Sequence, residues 1–208
     1  IIKSRWLDIN KGDDTDPIYR SRLVGKEFNT GEAAGLFAGT PPLEALRYLV
    51  HEAATVTAEQ KDDTVIMLND VSRAFFEAKA IRPLCVELPE EANMGGSKVG
   101  LLHMSLYGTR DAAKNWQEEV AKWMDTWGFR RGRYNPCMYY HASLKLHCML
   151  HGDDFVTTGT RQNVKKFRAQ LEARFEIKTQ VIGGGPEEHR EGRILNRIIR
   201  VTEDGWEL

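Results

Sequence analysis

The sequence has no apolar run near the roughly 18 residues that a membrane-spanning helix needs, so no helical span is expected. Its opening residues, Ile1-Ile2-Lys3-Ser4-Arg5, have no apolar core behind the basic pair. A secretory leader of the usual form is therefore not expected, and the stretch reads as the interior of a longer chain. Cysteine is scarce: Cys85, Cys137 and Cys148 are odd in number and widely spaced. A disulfide framework and a zinc ribbon are thereby excluded, and a reducing compartment is expected. The six histidines, His103, His141, His147 and His189 among them, show no ligand spacing. A His-rich metal centre, and the generic phosphohydrolase it would serve, is not expected. No internal repeat or low-complexity tract is present. Excess positive charge is missing too: 29 Lys and Arg stand against 30 Asp and Glu, a formal net charge of −1. A compact nucleic-acid binder is usually basic overall, so bulk charge lends that partner no support.

What is present is uneven. Residues 51–100 hold nine acids and five bases, while residues 161–200 hold ten bases and five acids. An acidic middle that gathers cations and a basic end that meets phosphates are compatible with this pattern, as are two solvated faces. The 208 residues suffice for one large domain or two small lobes with a real core.

Local signals mix helix and strand without a regular βαβ alternation, which predicts an α+β fold with an antiparallel sheet. Asn10–Pro17 is rich in Asp and Gly and reads as an exposed loop. Tyr19–Phe28 alternates as a strand, and Asn29–Gly39 is irregular. Thr40 is a plausible cap, with Pro41 and Pro42 opening a helix that carries Leu43, Leu46, Leu49, Val50 and Ala53 at helical spacing. Lys61-Asp62-Asp63 is a loop, Val65–Leu68 and Leu84–Leu88 are strands, and Glu90–Gly96 is a turn. Asp111 caps a long helix closed by Gly128. Cys137–Tyr140 and Leu146–Leu150 form a hairpin. Phe155–Thr158, Phe175–Lys178 and Ile194–Val201 are strands, and Asn163–Arg174 is a basic amphipathic helix.

Three Asp-Asp pairs occur, and the first two, Asp13-Asp14 and Asp62-Asp63, lie in polar loops and need no function. Asp153-Asp154 differs, because apolar strands run into it and out of it. Adjacent carboxylates at a hairpin tip repel, and a cation is the obvious remedy. Asp70 ends the apolar run Val65–Leu68 in the same way; alone it is the better helix cap, and with the second acid site it suggests carboxylates converging from neighbouring strands. Oxygen ligands of this kind suit magnesium. Two such ions about 4 Å apart stabilise both oxygens of an in-line phosphoryl displacement. Met104–Asp111 adds Gly108 between an aromatic residue and a helix start, where glycine permits close backbone approach by a ligand.

With these elements in order, the chain closely resembles the reverse transcriptase of copia-type long-terminal-repeat retrotransposons. The likeness rests on Tyr19–Phe28, on Asp70-Val71-Ser72-Arg73-Ala74-Phe75-Phe76, on Ser105-Leu106-Tyr107-Gly108 followed by Trp116, and on His151-Gly152-Asp153-Asp154. Phe175–Lys178 and Arg193–Arg197 add to it. The resemblance implies a right-hand polymerase. Fingers would cover about 1–60 and 80–106, and a palm of antiparallel sheet flanked by helices about 61–79 and 107–204. The thumb would be largely absent, and protease, integrase and ribonuclease H would lie elsewhere in a polyprotein.

The implied reaction is addition of deoxynucleotides to a primer 3′-hydroxyl on RNA or DNA. It would use two Mg²⁺ ions, for which Mn²⁺ substitutes. Asp70, Asp153 and Asp154 would be catalytic and, with the Val71 carbonyl, metal-binding. Arg22 and Lys26, with Arg20 less central, would meet the triphosphate. Arg73, Ala74, Phe75, Tyr107 and Gly108 would line the nucleotide pocket, with Phe75 as the gate against the 2′-hydroxyl and Phe76 as the core aromatic. Gly152, Arg130, Arg131, Arg133, Lys165, Lys166 and Arg168 would meet the template–primer. Implied partners are an RNA template, a DNA or RNA primer, deoxynucleotides and the remaining polyprotein, with the oligomeric state left open. The implied location is a cytoplasmic particle and then the nucleus.

Three departures stand out. His151 replaces tyrosine, Gly152 replaces a larger apolar residue, and Asp111-Ala112-Ala113-Lys114 lacks the usual proline. Gly-Asp-Asp is also the form of RNA-dependent RNA polymerases. That class, and an impaired or captured polymerase module that binds nucleic acid, stand as alternatives.

Overall fold

The structure is a computed structural model, which describes residues 1–28, 31, 35–55, 63–92 and 98–208. In chain order the elements begin with β1 (Lys3–Asn10), β2 (Tyr19–Lys26), α1 (Leu43–Ala54) and β3 (Thr64–Val71). They continue with β4 (Cys85–Glu87), β5 (Val99–Leu101), α2 (Ala112–Thr126), β6 (Phe129–Arg131), β7 (Met138–His141) and β8 (Leu146–His151). The last are β9 (Asp154–Thr160), α3 (Arg161–Arg174), β10 (Ile177–Ile182), β11 (Glu191–Ile194), β12 (Arg197–Val201) and β13 (Trp206–Glu207). The chain divides into two units, residues 1–38 with 74–119, and residues 39–73 with 120–208.

The first unit contains the antiparallel pair β1–β2, in register from Lys3 opposite Lys26 to Asn10 opposite Tyr19. β1 carries no clean alternation and is mostly exposed, which is why its sequence reads as no strand. The loop that joins the pair is held by its own side chains. Asn10 Oδ1 accepts from the Gly12 and Ile18 N–H groups, and Asp13 Oδ1 accepts from Thr15 and Asp16. β4 and β5 form a second short pair. Glu90–Ala92 is a 3₁₀ turn, and the rest of the expected Glu90–Gly96 turn lies outside the described residues. So do Lys61 and Asp62 and much of Asn29–Gly39.

The second unit is built on a six-stranded antiparallel sheet in the order β10-β3-β9-β8-β7-β6. The chain thus mixes helices and strands around a main antiparallel sheet, as the α+β expectation has it. Side chains alternate across the sheet. Ile66, Leu68, Val156, Met149 and Ile182 meet α1, whose Leu46 and Leu49 are fully buried among them. Each such leucine contributes about 1.5–3 kcal/mol through removal from water. The opposite face, with Phe155, packs an aromatic group in which Phe167 of α3 meets Phe129 and Trp123 at 4.8 and 6.1 Å, and Phe175 meets Trp123 and Phe155.

Two boundaries differ from expectation. The residue that caps α1 is Pro42, not Thr40, and no side chain caps the helix. Ile194–Val201 is not one strand but the hairpin β11–β12, turned at Leu195 and Asn196 with φ of +49° and +59°. Two consecutive positive φ values are the hairpin turn usually marked by Asn-Gly. With leucine in the first position, that signal is missing from the sequence.

Candidate active site

In the second unit, β3 carries Asp70 at its exposed end, and β9 begins at Asp154. The two are direct cross-strand partners. Lys178 of β10 pairs with Asp70 on the other side, and His151 of β8 pairs with Asp154. Cross-strand partners share a face, so Lys178, Asp70, Asp154 and His151 form one row across four strands. The row continues the face that buries Leu68 and Val156 against α1. Asp70 is thus a strand residue, and the helix-cap reading of it is not realised: after Val71 the chain turns into a 3₁₀ segment, Ala74–Glu77.

Asp153 sits beside this row in the two-residue turn between β8 and β9. Gly152 supplies φ +62° as the first turn residue, the type II′ arrangement that a right-twisted hairpin favours. The Asp153 carbonyl accepts the Val71 N–H at 3.0 Å, which ties the turn to the end of β3. Burial, with the neighbouring Asp153 and Asp70 charges adding to it, pushes the Asp154 carboxyl up to about 6. Three carboxylates therefore share one electrostatic environment, with Lys178 as the cross-strand neighbour of Asp70.

Among the described residues, no three His, Cys, Asp or Glu side chains gather into a complete metal shell. Magnesium does not require one, because it keeps waters and takes one or two carboxylates together with substrate phosphates. The coupled, cross-paired aspartates fit that demand. A shallow cavity of about 180 Å³ beside them is lined by Asp70, Asp154, Lys178, Thr179 and Arg193. Lys178 was missing from the sequence-based set, because only the pairing of β10 with β3 brings it beside Asp70.

A second set of residues is gathered within the first unit. Gly108, at φ +83°, passes so close to β2 that a Cβ there would lie 2.0 Å from the Gly25 carbonyl oxygen. The Gly25 N–H donates to the Tyr107 carbonyl at 2.7 Å. The close approach that this glycine permits is therefore made by the chain's own backbone at β2, where the sequence suggested a ligand. The Tyr107 ring meets Phe75 at 4.5 Å and Phe76 edge-on at 5.5 Å, and the Arg22 guanidinium lies 5.4 Å from its centre. Phe76 is not the expected core aromatic: it is 40% exposed, while Ala74 is the buried residue of this 3₁₀ segment and Ala78, just after it, is buried too.

The remaining expected residues are dispersed. Arg73 has φ +57° and its guanidinium pairs with Glu176. Arg130 and Arg131 lie on β6, and Arg131 donates to the Pro136 carbonyl at 2.7 Å. Lys165, Lys166 and Arg168 lie on α3, which packs on the sheet face opposite the carboxylate row.

A family model described as reverse transcriptase (RNA-dependent DNA polymerase) matches residues 1–182. The chain belongs to the reverse transcriptase family. The retrovirus-related Pol polyprotein from transposon TNT 1-94 of Nicotiana tabacum is 23% identical over 188 residues. The match covers 85% of this chain and 14% of that polyprotein, so the chain spans a small part of its relative's length. Among solved structures, apo telomerase from Candida tropicalis, truncated from the C-terminal domain, aligns with 8% identity and a TM-score of 0.46, over 99% of this chain and 55% of that one. The retrotransposon reverse transcriptase resemblance read from the sequence is borne out by the family match together with the transposon relative.

Proposed function

We propose that this reverse transcriptase chain adds deoxynucleotides to a primer 3′-hydroxyl, on RNA and DNA templates, within a retrotransposon polyprotein. The observation that carries the reading is the cross-strand pair Asp70–Asp154 with Asp153 in the adjoining Gly-Asp turn. Asp70 and Asp153, with the Val71 carbonyl, would hold two Mg²⁺ ions, with Mn²⁺ as a substitute and Asp154 as a transient ligand. The ions supply Lewis acidity toward the primer hydroxyl and charge neutralisation for pyrophosphate.

The second unit contains most of the residues assigned to the palm, about 61–79 and 107–204, and the first most of those assigned to the fingers, about 1–60 and 80–106. Asp70 and Asp154 project from paired strands and Asp153 from a turn tied to β3, so their placement is fixed by the sheet before substrate arrives. Arg22 and Lys26 meet the triphosphate as charge-assisted donors. Ala74, Phe75, Tyr107 and Gly108 of the first unit are assigned to the nucleotide, as is Arg73 of the second. The flat face of Phe75, backed by Tyr107 at 4.5 Å, excludes a 2′-hydroxyl. That gate favours the deoxynucleotide reading over RNA synthesis. Gly152 and the basic residues Arg130, Arg131, Lys165 and Lys166 are assigned to template and primer, contacts that weaken with salt.

Primer extension on an RNA template with deoxynucleotides, in magnesium and then manganese, tests the reading. Templated extension is expected. Its absence both in this chain and in one extended by downstream polyprotein residues would overturn the assignment. In single-nucleotide insertion, Phe75→Val is expected to admit ribonucleotides, with the deoxy-over-ribo preference falling by about two orders of magnitude. An unchanged preference would remove Phe75 from the gate.

A further inference from the structure

The tetrapeptide Ser105-Leu106-Tyr107-Gly108 is held at both ends by one polar ring within the first unit. At its start, the buried Ser105 Oγ accepts from Asn115 Nδ2 at 3.0 Å. The Ser105 N–H donates to the Ala78 carbonyl at 2.8 Å. Asn115 Nδ2 also donates to Asp111 Oδ2 at 3.2 Å. The other oxygen of Asp111 accepts from Arg82 Nη2 at 2.8 Å. Arg82 then forks onto Glu27, with Nη1 to Oε1 and Nη2 to Oε2, each at 2.9 Å. Glu27 Oε2 accepts the Arg110 N–H at 2.8 Å, and the Glu27 N–H donates to the Gly108 carbonyl at 3.3 Å. The circuit therefore runs from Ser105 round to Gly108, with Tyr107 between.

The chemistry of the ring makes Arg82 its keystone. The Glu27 and Asp111 side chains are only 12% and 9% exposed, so both carboxylates depend on a cation. The Arg82 hydrogen bond holds Glu27 below the usual carboxylate range against the opposing effect of burial. Burial pushes Asp111 upward, but the hydrogen bonds from Arg82 and Asn115 outweigh it. A planar fork meets three carboxylate oxygens here in a fixed geometry; lysine keeps the charge and loses the fork.

We propose that Arg82 is a positioning residue for nucleotide selection: by joining Glu27 to Asp111 it fixes the Gly25–Gly108 crossing and holds the Tyr107 ring against Phe75 and Arg22. This rests on the reading that Phe75 and Tyr107 face the incoming nucleotide. Removing the guanidinium leaves two nearly buried carboxylates unpaired. They then turn outward or take up protons, and the tetrapeptide keeps its main-chain bonds to Gly25 and Glu27 but loses the side-chain ring that braces them.

Single-nucleotide insertion on the active enzyme, with Arg82→Met, Arg82→Lys and Phe75→Val side by side, tests the idea. Arg82→Met is expected to raise the deoxynucleotide KM about tenfold with kcat changed by less than about threefold, since binding geometry is lost rather than chemistry. The deoxy-over-ribo preference falls several-fold in parallel, and Arg82→Lys lies between Met and the parent. An Arg82→Met protein with native near-UV circular dichroism and unchanged KM and preference would overturn the proposal. So would a loss confined to kcat. If Arg82→Met does not fold, Glu27→Gln, which keeps the Arg82–Asp111 pair, decides by the same readouts. A preference altered by Phe75→Val and by none of the ring variants refutes the positioning role and leaves the pocket standing. A preference that no variant alters, Phe75→Val included, refutes the pocket reading itself.

Discussion

Asp153→Asn is expected to reduce primer extension by about a thousandfold or more in magnesium, because several kcal/mol of transition-state charge stabilisation pass through that carboxylate. Asp70→Asn is expected to do the same, and Asp154→Asn less, since its assigned role is transient. The same substitution carries an opposite signature in stability. Asp154 is raised from 3.8 to about 6 by burial, then by Asp153 and Asp70. Between those two values the folded chain holds a proton that the unfolded chain has released. Stability therefore falls as pH rises through that window and levels off above it. For a half-exposed group the effect is of the order of 1 kcal/mol after solvent screening. In chelator at pH 7, Asp153→Asn should therefore be slightly more stable to denaturant than the parent while being inactive. Magnesium should raise the parent's melting temperature more than the variant's. A variant that is inactive and also less stable in chelator would point to structural damage in place of a lost ligand.

Gly108→Ala is expected to have the largest effect on folding, about 4 kcal/mol or more, because it combines a left-handed backbone with a collision against main chain. The new Cβ would lie 2.0 Å from the Gly25 oxygen and 3.1 Å from its nitrogen, and neither atom belongs to a side chain that could move aside. Gly152 provides the control. It too has positive φ, at +62°, yet a Cβ there meets nothing within 4 Å. Gly152→Ala should cost only about 1–2 kcal/mol, the conformational part alone. Denaturant unfolding of the two variants separates the two contributions. Equal losses would mean that the crossing at Gly25 does not constrain the tetrapeptide.

Much of this was legible in the chain itself. Apolar runs ending in acids, Val65 to Asp70 and Leu146 to Asp154, marked strand ends, because a carboxylate is tolerated only where a buried strand reaches water. The Asp153-Asp154 pair between two apolar runs marked the hairpin tip. The ordered fragments from Asp70 to Asp154 identified the family, because each is a local string that pairing does not alter. Pairing itself is not written locally. The alignment of Lys178 with Asp70 and the ring through Arg82 join residues tens of positions apart, and nothing at Arg82 announces Glu27 or Asp111. Phe75 and Phe76 likewise look interchangeable as neighbours, and only the 3₁₀ turn decides that Phe75 stacks on Tyr107 while Phe76 stays exposed. The sequence by itself thus determined the family, the strand ends and the acids. The tertiary structure alone decided which charges meet, because charge pairing depends on register and distance in space, which residue order does not carry.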